Sequence, residues 1–553
     1  MKISSFDIFD TCLVRKCGTP ENFLDVLSQR AFNHEPQEWA RQEFVAARRA
    51  ADHQLWQENS HYTLQDIWVE FDWAHQFLKS KKELCQLEQN LEREMLVPVL
   101  SMRDKVNECR KQGKKIIFIS DMYLSSEFLI DILRKYGFYQ DGDALYVSCE
   151  CGALKWNGEL FEYVRKQENM PSFRHWHHYG DNKQGDYNAP KKLGIKCTLV
   201  YHAYTPYQQQ WADNDYSLGF KYPSILAGLG RALHYSTEWN THTDFVLDII
   251  APFYCSWMYM VLEDAQQKGI KRLYFCARDA YQIHKIAQVM QPLFPEVGVE
   301  YVYMSRKALY NEENEEAKIA YYEQIGLANK TDKVAIVDTT TSGKTLLVLN
   351  KFLTAHKYKE VTAYYYLLWN KVAGVDRTKY HVQVYDAYIK NNHAMDRLFS
   401  VLFILENFFG LTHDQKTVDY QFEQGKPVPV FSSEIKKEDC VFVDDVDWTS
   451  VHQELLCQYA ADYVKFSCGK FAKDIFEHIG NATVAQFFAH PIKRYLKAIE
   501  NFYFYGNENT ELYPCIKRIY NPLELIAKKR KYLWRRGCIY LTLPEFITRI
   551  YNV

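Results

Sequence analysis

The sequence predicts an α/β protein built as two successive units with helical additions. Three observations predict it. The chain has 553 residues, too long for one compact unit at ~100–200 residues per domain. Short apolar runs that end in polar clusters and give way to helix-period segments recur in two separate regions. A composition that is 47% hydrophobic and 25% charged is that of a globular chain able to build a core, which excludes collagen-like, disordered and coiled-coil classes. With 67 Lys plus Arg against 69 Asp plus Glu, the formal charge of −2 argues against a surface that grips nucleic acid throughout. The deviation is aromatic: 41 Tyr, 33 Phe and 12 Trp make 16%. Such an excess reads either as sugar-facing surface or as large amphipathic side chains in cores.

The first unit opens with a strand at Ile3 to Phe9, and a second lies at Lys114 to Ser120. Between them run helix-period segments. The first starts at Thr19-Pro20-Glu21, an N-cap, a first-turn proline and a first-turn acid. Others follow around Phe44 to Leu55, Leu64 to Phe77 and Leu84 to Leu96, so the insert is read as a helical cap of about 15–105. After a helical stretch from Tyr216 to Lys268, strands are expected at Arg272 to Cys276, Glu300 to Met304, Val334 to Val337 and Val361 to Leu368. The first three end in polar clusters, the pattern of parallel strands with ligand loops at their carboxyl ends. The expected domains are 1–205, 206–390 and a mainly helical extension, 391–553.

The fourteen cysteines are scattered without a CxxC, and the closest pair is Cys149 and Cys151. That is neither a zinc set nor a small secreted disulfide framework, so reduced thiols in a cytoplasmic protein are expected. No signal-peptide pattern precedes the first strand. The longest apolar run, Ile249 to Leu262, is shorter than the ~20 residues of a bilayer span and contains Pro252, so no transmembrane helix is expected.

Four polar signals stand at strand ends of the first unit: Asp7 to Thr11, Ser120-Asp121, Lys155, and Gly180-Asp181-Asn182 with Asp186. An Asp after an apolar strand can attack phosphorus, Ser and Lys can hold the phosphoryl oxygens, and further carboxylates can hold magnesium. Any one alone is most often a turn or cap residue. All four in this order resemble the haloacid-dehalogenase-like (HAD) hydrolases, mostly magnesium-dependent phosphatases with a Rossmann-like core. The resemblance covers about residues 1–205. It implies Asp7 as nucleophile and Ser120 and Lys155 as phosphate holders. It also implies Thr11 among the substrate-binding residues, and Mg2+ bound by Asp7, the Phe9 carbonyl, Asp181 and Asp186. The sequence departs from the family where a phosphatase ordinarily carries its acid/base Asp. That position holds Phe9, and Asp10 is the nearest candidate.

The second unit carries Asp338, Thr339, Thr340, Thr341, Ser342, Gly343, Lys344 and Thr345 after an apolar strand, a cradle for a phosphate group. A Walker A reading fails because GxxxxGK[ST] needs Gly at position 338. The run resembles instead the phosphoribosyl-diphosphate motif of type I phosphoribosyltransferases, over about residues 265–370. The resemblance implies that Asp338 binds ribose hydroxyls and Thr339 to Thr345 hold the 5-phosphate. Arg278 and Asp279 would lie in the diphosphate loop, and Arg306 in the segment leading to the mobile loop. The family's first of two acids is Val337 here, and the position that often carries a base is Thr341. The alternative is a Rossmann-like domain whose loop is a well-capped turn.

Together the two resemblances imply transfer of 5-phosphoribosyl from phosphoribosyl diphosphate to a glycan acceptor, then removal of the 5-phosphate to leave ribofuranose. That pairing resembles systems that build bacterial surface polysaccharide, O-antigen or capsule. Two rival classes stay open: a phosphatase of nucleotide or phosphosugar salvage, and a non-catalytic phosphate-sensing protein. The cluster Lys528-Lys529-Arg530-Lys531 with Trp534-Arg535-Arg536 reads either as a solvated helix face or as a peripheral contact with anionic lipid on the inner membrane face. No nucleic-acid partner is expected, because no recognised binding fold accompanies it.

Overall fold

Ile3, Ser4, Ser5 and Phe6 form β1, and all four are buried, as a strand covered on both faces must be. In the computed structural model β1 pairs in parallel with β4 (Lys115–Ser120) on one side and β6 (Trp176–Gly180) on the other. With β5 (Ala144–Val147) and β7 (Lys196–Leu199) the order is β5-β4-β1-β6-β7. Since the chain fills one side of β1 and then the other, the carboxyl ends of β1, β4 and β6 meet where the order reverses. That is the place where open parallel sheets form a crevice. The residues described are 2–58, 61–213, 222–238, 240–368, 376–381, 385–386, 404–432, 440–442, 444–500, 502–505, 512–516, 538, 540 and 541.

Between β1 and β4, β2 (Leu13–Arg15) and β3 (Leu96–Pro98) pair antiparallel as a stem. The stem carries α1 (Pro20–Arg30), α2 (Glu38–Glu58), α3 (Leu64–Glu70) and α4 (Lys81–Met95). Local signals set these helices. Thr19 accepts the Asn22 N–H with Pro20 at the first position, and Thr63/Asp66 and Ser80/Glu83 form capping boxes. The helical cap therefore spans Pro20–Met95. The residues around 100–105 belong instead to the helix Leu100–Lys111, which leads into β4.

The expected boundary at 205 moves: the chain divides into Met1–Asn240 and Thr241–Val553. The helix Tyr222–Tyr235 joins the first unit through glycine contact. A Cβ on Gly228 would stand 2.3 Å from the Gly18 nitrogen, so no larger residue allows this approach.

The second unit holds β8 (Arg272–Cys276), β9 (Gly298–Val302), β10 (Val334–Thr341), β11 (Thr362–Leu368), β12 (Tyr380–His381) and β13 (Tyr385–Asp386). These strands are parallel in the order β12-β11-β10-β8-β9, with β13 also on β11. β10 is longer than expected. Thr340 and Thr341 pair with Leu367 and Leu368, because β-branched threonines suit a pleated strand as well as a polar loop. The apolar helix His242–Gln267 is long and apolar enough to cross a membrane, and 89% of its apolar window is buried inside the protein.

Among the described residues beyond position 391, helix outweighs strand, and antiparallel strands accompany the helices. Lys416–Glu423 and Lys426–Ser432 form an antiparallel hairpin through Gln424-Gly425, both at positive φ, a tight-turn geometry. Cys440–Phe442, Phe502–Tyr505 and Leu512–Pro514 form a second antiparallel sheet beside helices such as Trp448–Lys465. The basic cluster from Lys528 to Arg536 lies outside the described residues. The cysteines whose state is described are free thiols.

Candidate active site

Asp7 leaves β1 with its N–H donated to the Tyr179 carbonyl at 2.8 Å, which fixes the turn out of the sheet. Ser120 is the last residue of β4 and Asp181 follows β6. Asp186 enters from the next turn and packs so closely on Gly180 that a Cβ there would lie 2.4 Å from its carboxyl carbon. Lys155 closes the group. Its Nζ donates to Asp7 Oδ1 at 2.5 Å and to Asp186 Oδ1 at 2.6 Å. Its backbone N–H donates to both oxygens of Asp121, at 2.9 and 3.0 Å.

Asp186 is held by several protein donors. Oδ1 also meets His178 Nε2 at 3.1 Å, His178 Nδ1 meets Ser5 Oγ at 2.7 Å, and Trp176 Nε1 donates to that hydroxyl at 2.6 Å. Asp186 Oδ2 accepts the Asn182 N–H at 2.9 Å. Burial alone would raise the Asp186 carboxyl, yet Lys155 and His178 hold it well below the usual carboxylate range. Asp7 goes the other way. Burial raises it, and the attraction of Lys155 opposes this while Asp186 and Asp181 add to it. Burial, then Asp10 and Asp186, push Asp181 up to about 6. Lys155 is held as a cation, because Asp186, Asp7 and Asp121 outweigh its desolvation.

Asp7, Asp181 and Asp186 offer oxygens within 4.8 Å of one another. An all-carboxylate set of this kind suits a hard divalent cation such as Mg2+. Asp186 Oδ1 already meets Lys155 and His178 and its Oδ2 accepts the Asn182 N–H, so Asp186 is the most tightly held member of this carboxylate set. Thr11, expected to touch substrate, instead points its hydroxyl at Asp181 Oδ1, at 3.4 Å, and is fully buried.

Asp10 has a left-handed backbone, φ 51°, and its Oδ1 accepts from Arg231 Nη2 at 3.0 Å. Asp10 borders a cavity of about 350 Å3 lined by Asp7, Phe9, Asp10, Ser120, Lys155 and Asp181 together with residues of the cap. Asp121, His178 and Arg231 were not singled out for a role by sequence reasoning. Asp121 carried a legible signal, an acid following Ser120 at a strand end, whereas Arg231 lies on a helix with no motif.

In the second unit the order reverses between β8 and β10, so their carboxyl ends form a crevice within this unit. Asp279 follows β8 and Asp338 lies in β10, where its Oδ1 accepts the Thr339 N–H at 2.8 Å. Burial and then Asp279 raise the Asp338 carboxyl, with Glu406 adding to this and Arg306 opposing it. Burial raises Asp279, against Arg278 and Arg306.

The expected phosphate loop is divided. Thr339, Thr340 and Thr341 belong to β10, and Ser342 and Gly343 make the turn into the helix Lys344–Ala355. Thr341 Oγ1 accepts the Gly343 N–H at 2.9 Å, and Thr340 donates to Glu406. The buried Thr339 hydroxyl has no hydrogen-bond partner among the described residues. Lys344 is exposed, with its ammonium 5.2 Å from the Tyr310 ring. Thr345 begins that helix one residue on. Glu406 was not predicted, and the distance from position 340 to 406 leaves no local pattern.

No protein-family model and no curated protein sequence matches the chain. Part of it is similar to solved structures. A HAD family enzyme, BT-2542 from Bacteroides thetaiotaomicron, is 14% identical over 38% of this chain and 98% of that one, with a TM-score of 0.29. A HAD phosphatase from Thermococcus onnurineus is 17% identical over 36% and 87%, with a TM-score of 0.27. L-2-haloacid dehalogenase from Xanthobacter autotrophicus is 13% identical over 40% and 86%, with a TM-score of 0.29.

Proposed function

We propose that the first unit is a magnesium-dependent phosphatase of the HAD type. The observation that carries this reading is the convergence of Asp7, Ser120, Lys155 and Asp181 on one cavity at the carboxyl ends of β1, β4 and β6. An Asp7 oxygen attacks phosphorus, the bond to the leaving oxygen breaks, and an aspartyl phosphate forms. Water then cleaves that ester and restores the carboxylate. Lys155 neutralises charge gathering on the phosphoryl oxygens, and Ser120 donates to one of them. Asp10, on the cavity wall, hands a proton to the leaving oxygen and takes one from the water. Asp7, Asp181 and the Phe9 carbonyl would hold a magnesium ion, which when bound would shield the nucleophile from the anionic phosphate.

For the second unit the reading is transfer of 5-phosphoribosyl from phosphoribosyl diphosphate to a glycan acceptor. Its support is the crevice between β8 and β10 with Asp279 and Asp338 at its edges, and the buried Thr339 hydroxyl beside Asp338, which has no hydrogen-bond partner among the described residues. Asp338 orients the ribose, Arg278 meets departing diphosphate, and an acceptor hydroxyl attacks carbon 1. Phosphate removal in the first unit then leaves ribofuranose and makes transfer effectively irreversible. Such a product belongs to bacterial surface polysaccharide made at the cytoplasmic membrane face.

The test incubates the full chain with phosphoribosyl diphosphate, Mg2+ and oligosaccharide acceptors and follows product mass. Asp7→Asn is expected to accumulate the phosphorylated product and Asp338→Ala to abolish its formation. Absence of phosphoribosyl transfer across a broad acceptor panel sinks the transferase reading, and absence of phosphate release from any monoester sinks the phosphatase reading.

A further inference from the structure

The cap side of the cavity presents Arg15, Arg48 and Glu92, and each arginine is paired with a buried glutamate. Arg15 donates through Nε to both oxygens of Glu92, at 3.1 and 3.1 Å, and through Nη2 to Oε1 at 2.8 Å. Arg48 on α2 repeats the arrangement with Glu88, Nε at 3.1 Å and Nη2 at 2.7 Å. Glu88 and Glu92 stand one turn apart on α4, so they share a face, and both are 0% exposed.

Burying two ion pairs costs several kcal/mol of desolvation per ion, and apolar residues of similar volume commonly stabilise a core at least as well. Fold stability therefore gives no reason for charge here, and a ligand does. Each arginine engages Nε and Nη2 with its glutamate. The remaining nitrogen, Nη1, makes no hydrogen bond to a described residue in either case. Arg48 Nη1 faces Asp52 Oδ2 at 3.8 Å, a gap wide enough for a hydroxyl to enter by modest adjustment, and Asp52 is 38% exposed. Arg15, Arg48, Asp52 and Glu92 all line the cavity, and rings flank both guanidinium groups, Phe23 5.7 Å from Arg15 and Tyr123 5.5 Å from Arg48.

The charges decide what this wall accepts. Each Arg–Glu pair sums to zero and Asp52 adds a negative charge, so a second anion gains nothing there. Fixed N–H donors beside carboxylate acceptors match a hydroxyl, which both accepts and donates, and adjacent hydroxyls on a ring use both at once. We infer that Arg15, Arg48 and Asp52 form the leaving-group subsite of the first unit. It takes a neutral polyhydroxylated ring, a sugar, and discriminates against alkyl chains and bisphosphates. This inference rests on the phosphatase reading of Asp7.

The test measures phosphate release by the full chain from methyl ribofuranoside 5-phosphate, pentyl phosphate and ribose 1,5-bisphosphate. In parallel, calorimetry follows binding of the first two to Asp7→Asn protein. A site built for hydroxyls rejects an analogue lacking them strongly, so kcat/KM for the ribofuranoside is expected to exceed that for pentyl phosphate by on the order of 10^3 or more. Asp52→Asn, which leaves an oxygen to accept the Tyr62 hydroxyl now 2.6 Å from Oδ1, and Arg48→Lys should each cut that ratio by on the order of tenfold or more. Equal binding of the two esters, or a ratio unmoved in both variants, overturns the subsite. Tighter binding of the ribofuranoside with no turnover of any ester retains the subsite and sinks the phosphatase reading instead.

Discussion

Lys155 is the residue on which the first site depends, because it is 4% exposed and bridges Asp7 and Asp186 at 2.5 and 2.6 Å. Removing one partner of a buried ionic cluster leaves uncompensated charge and costs about 3–5 kcal/mol. Lys155→Met is therefore expected to lower urea-unfolding stability by about that amount as well as to abolish phosphate release. An unchanged midpoint would show that the cluster is hydrated. Gly180 gives a subtler test. Gly180→Ala places a methyl 2.4 Å from the Asp186 carboxyl carbon, so Asp186 must move. The expected outcome is a fall in Mg2+ affinity, measured by calorimetry, with the sheet retained by circular dichroism. Asp7 and Asp181 were legible because each follows a strand, and Asp186 because it stands a few residues beyond Asp181. Their unequal proton affinities were not, since those come from Lys155 lying between two of them.

At the scale of elements, the helix Tyr222–Tyr235 is held by the approach of Gly228 to Gly18 and delivers Arg231 to Asp10. Gly228→Val forces a clash of the kind that costs typically 1–3 kcal/mol. It is expected to lower the thermal midpoint and the phosphatase rate together, whereas Arg231→Met should lower the rate alone.

In the second unit, His242 stacks on Trp448 with ring centroids 3.5 Å apart and its Nδ1 lies 3.2 Å from His452 Nε2. Burial pushes His242 down to about 3, and burial followed by His242 holds His452 well below the usual histidine value. Both are neutral when folded, while an unfolded histidine takes a proton near pH ~6.5. Stability from these groups is thus complete above that value and falls as the pH drops toward 3. His452→Gln should be less stable at pH 7. The gap to the unsubstituted protein should narrow by about 1.4 kcal/mol for each pH unit below 6.5. A gap independent of pH would mean that His452 takes up its proton as readily in the fold as in the unfolded chain. Element positions were largely legible: Arg272 to Cys276 is a strand as expected, and Thr19-Pro20 starts a helix. The hairpin around Gln424-Gly425 was missed because its signal is backbone conformation at two residues and not hydrophobic period.

For the whole molecule, the division after Asn240 predicts that residues 1–240 fold alone and release phosphate without any acceptor. A fragment ending at 205 loses Arg231 and the Gly228 contact, so it is expected to be insoluble or inactive. Equal phosphate release by the two fragments would show that the helix Tyr222–Tyr235 is dispensable.

By itself the sequence determined two α/β units, the order of Asp7, Ser120, Lys155 and Asp181 along the first, and Asp338 in a strand of the second. It could do so because strand ends, caps and turns are local and leave their marks within a few residues. The tertiary structure alone decided that Arg231 reaches Asp10 across 221 residues, and that Arg15 and Arg48 line the cavity paired with Glu92 and Glu88. It also decided that Glu406 meets Thr340. These partners are chosen by which faces of sheet, cap and helix pack together, and no periodicity in a single chain encodes that choice.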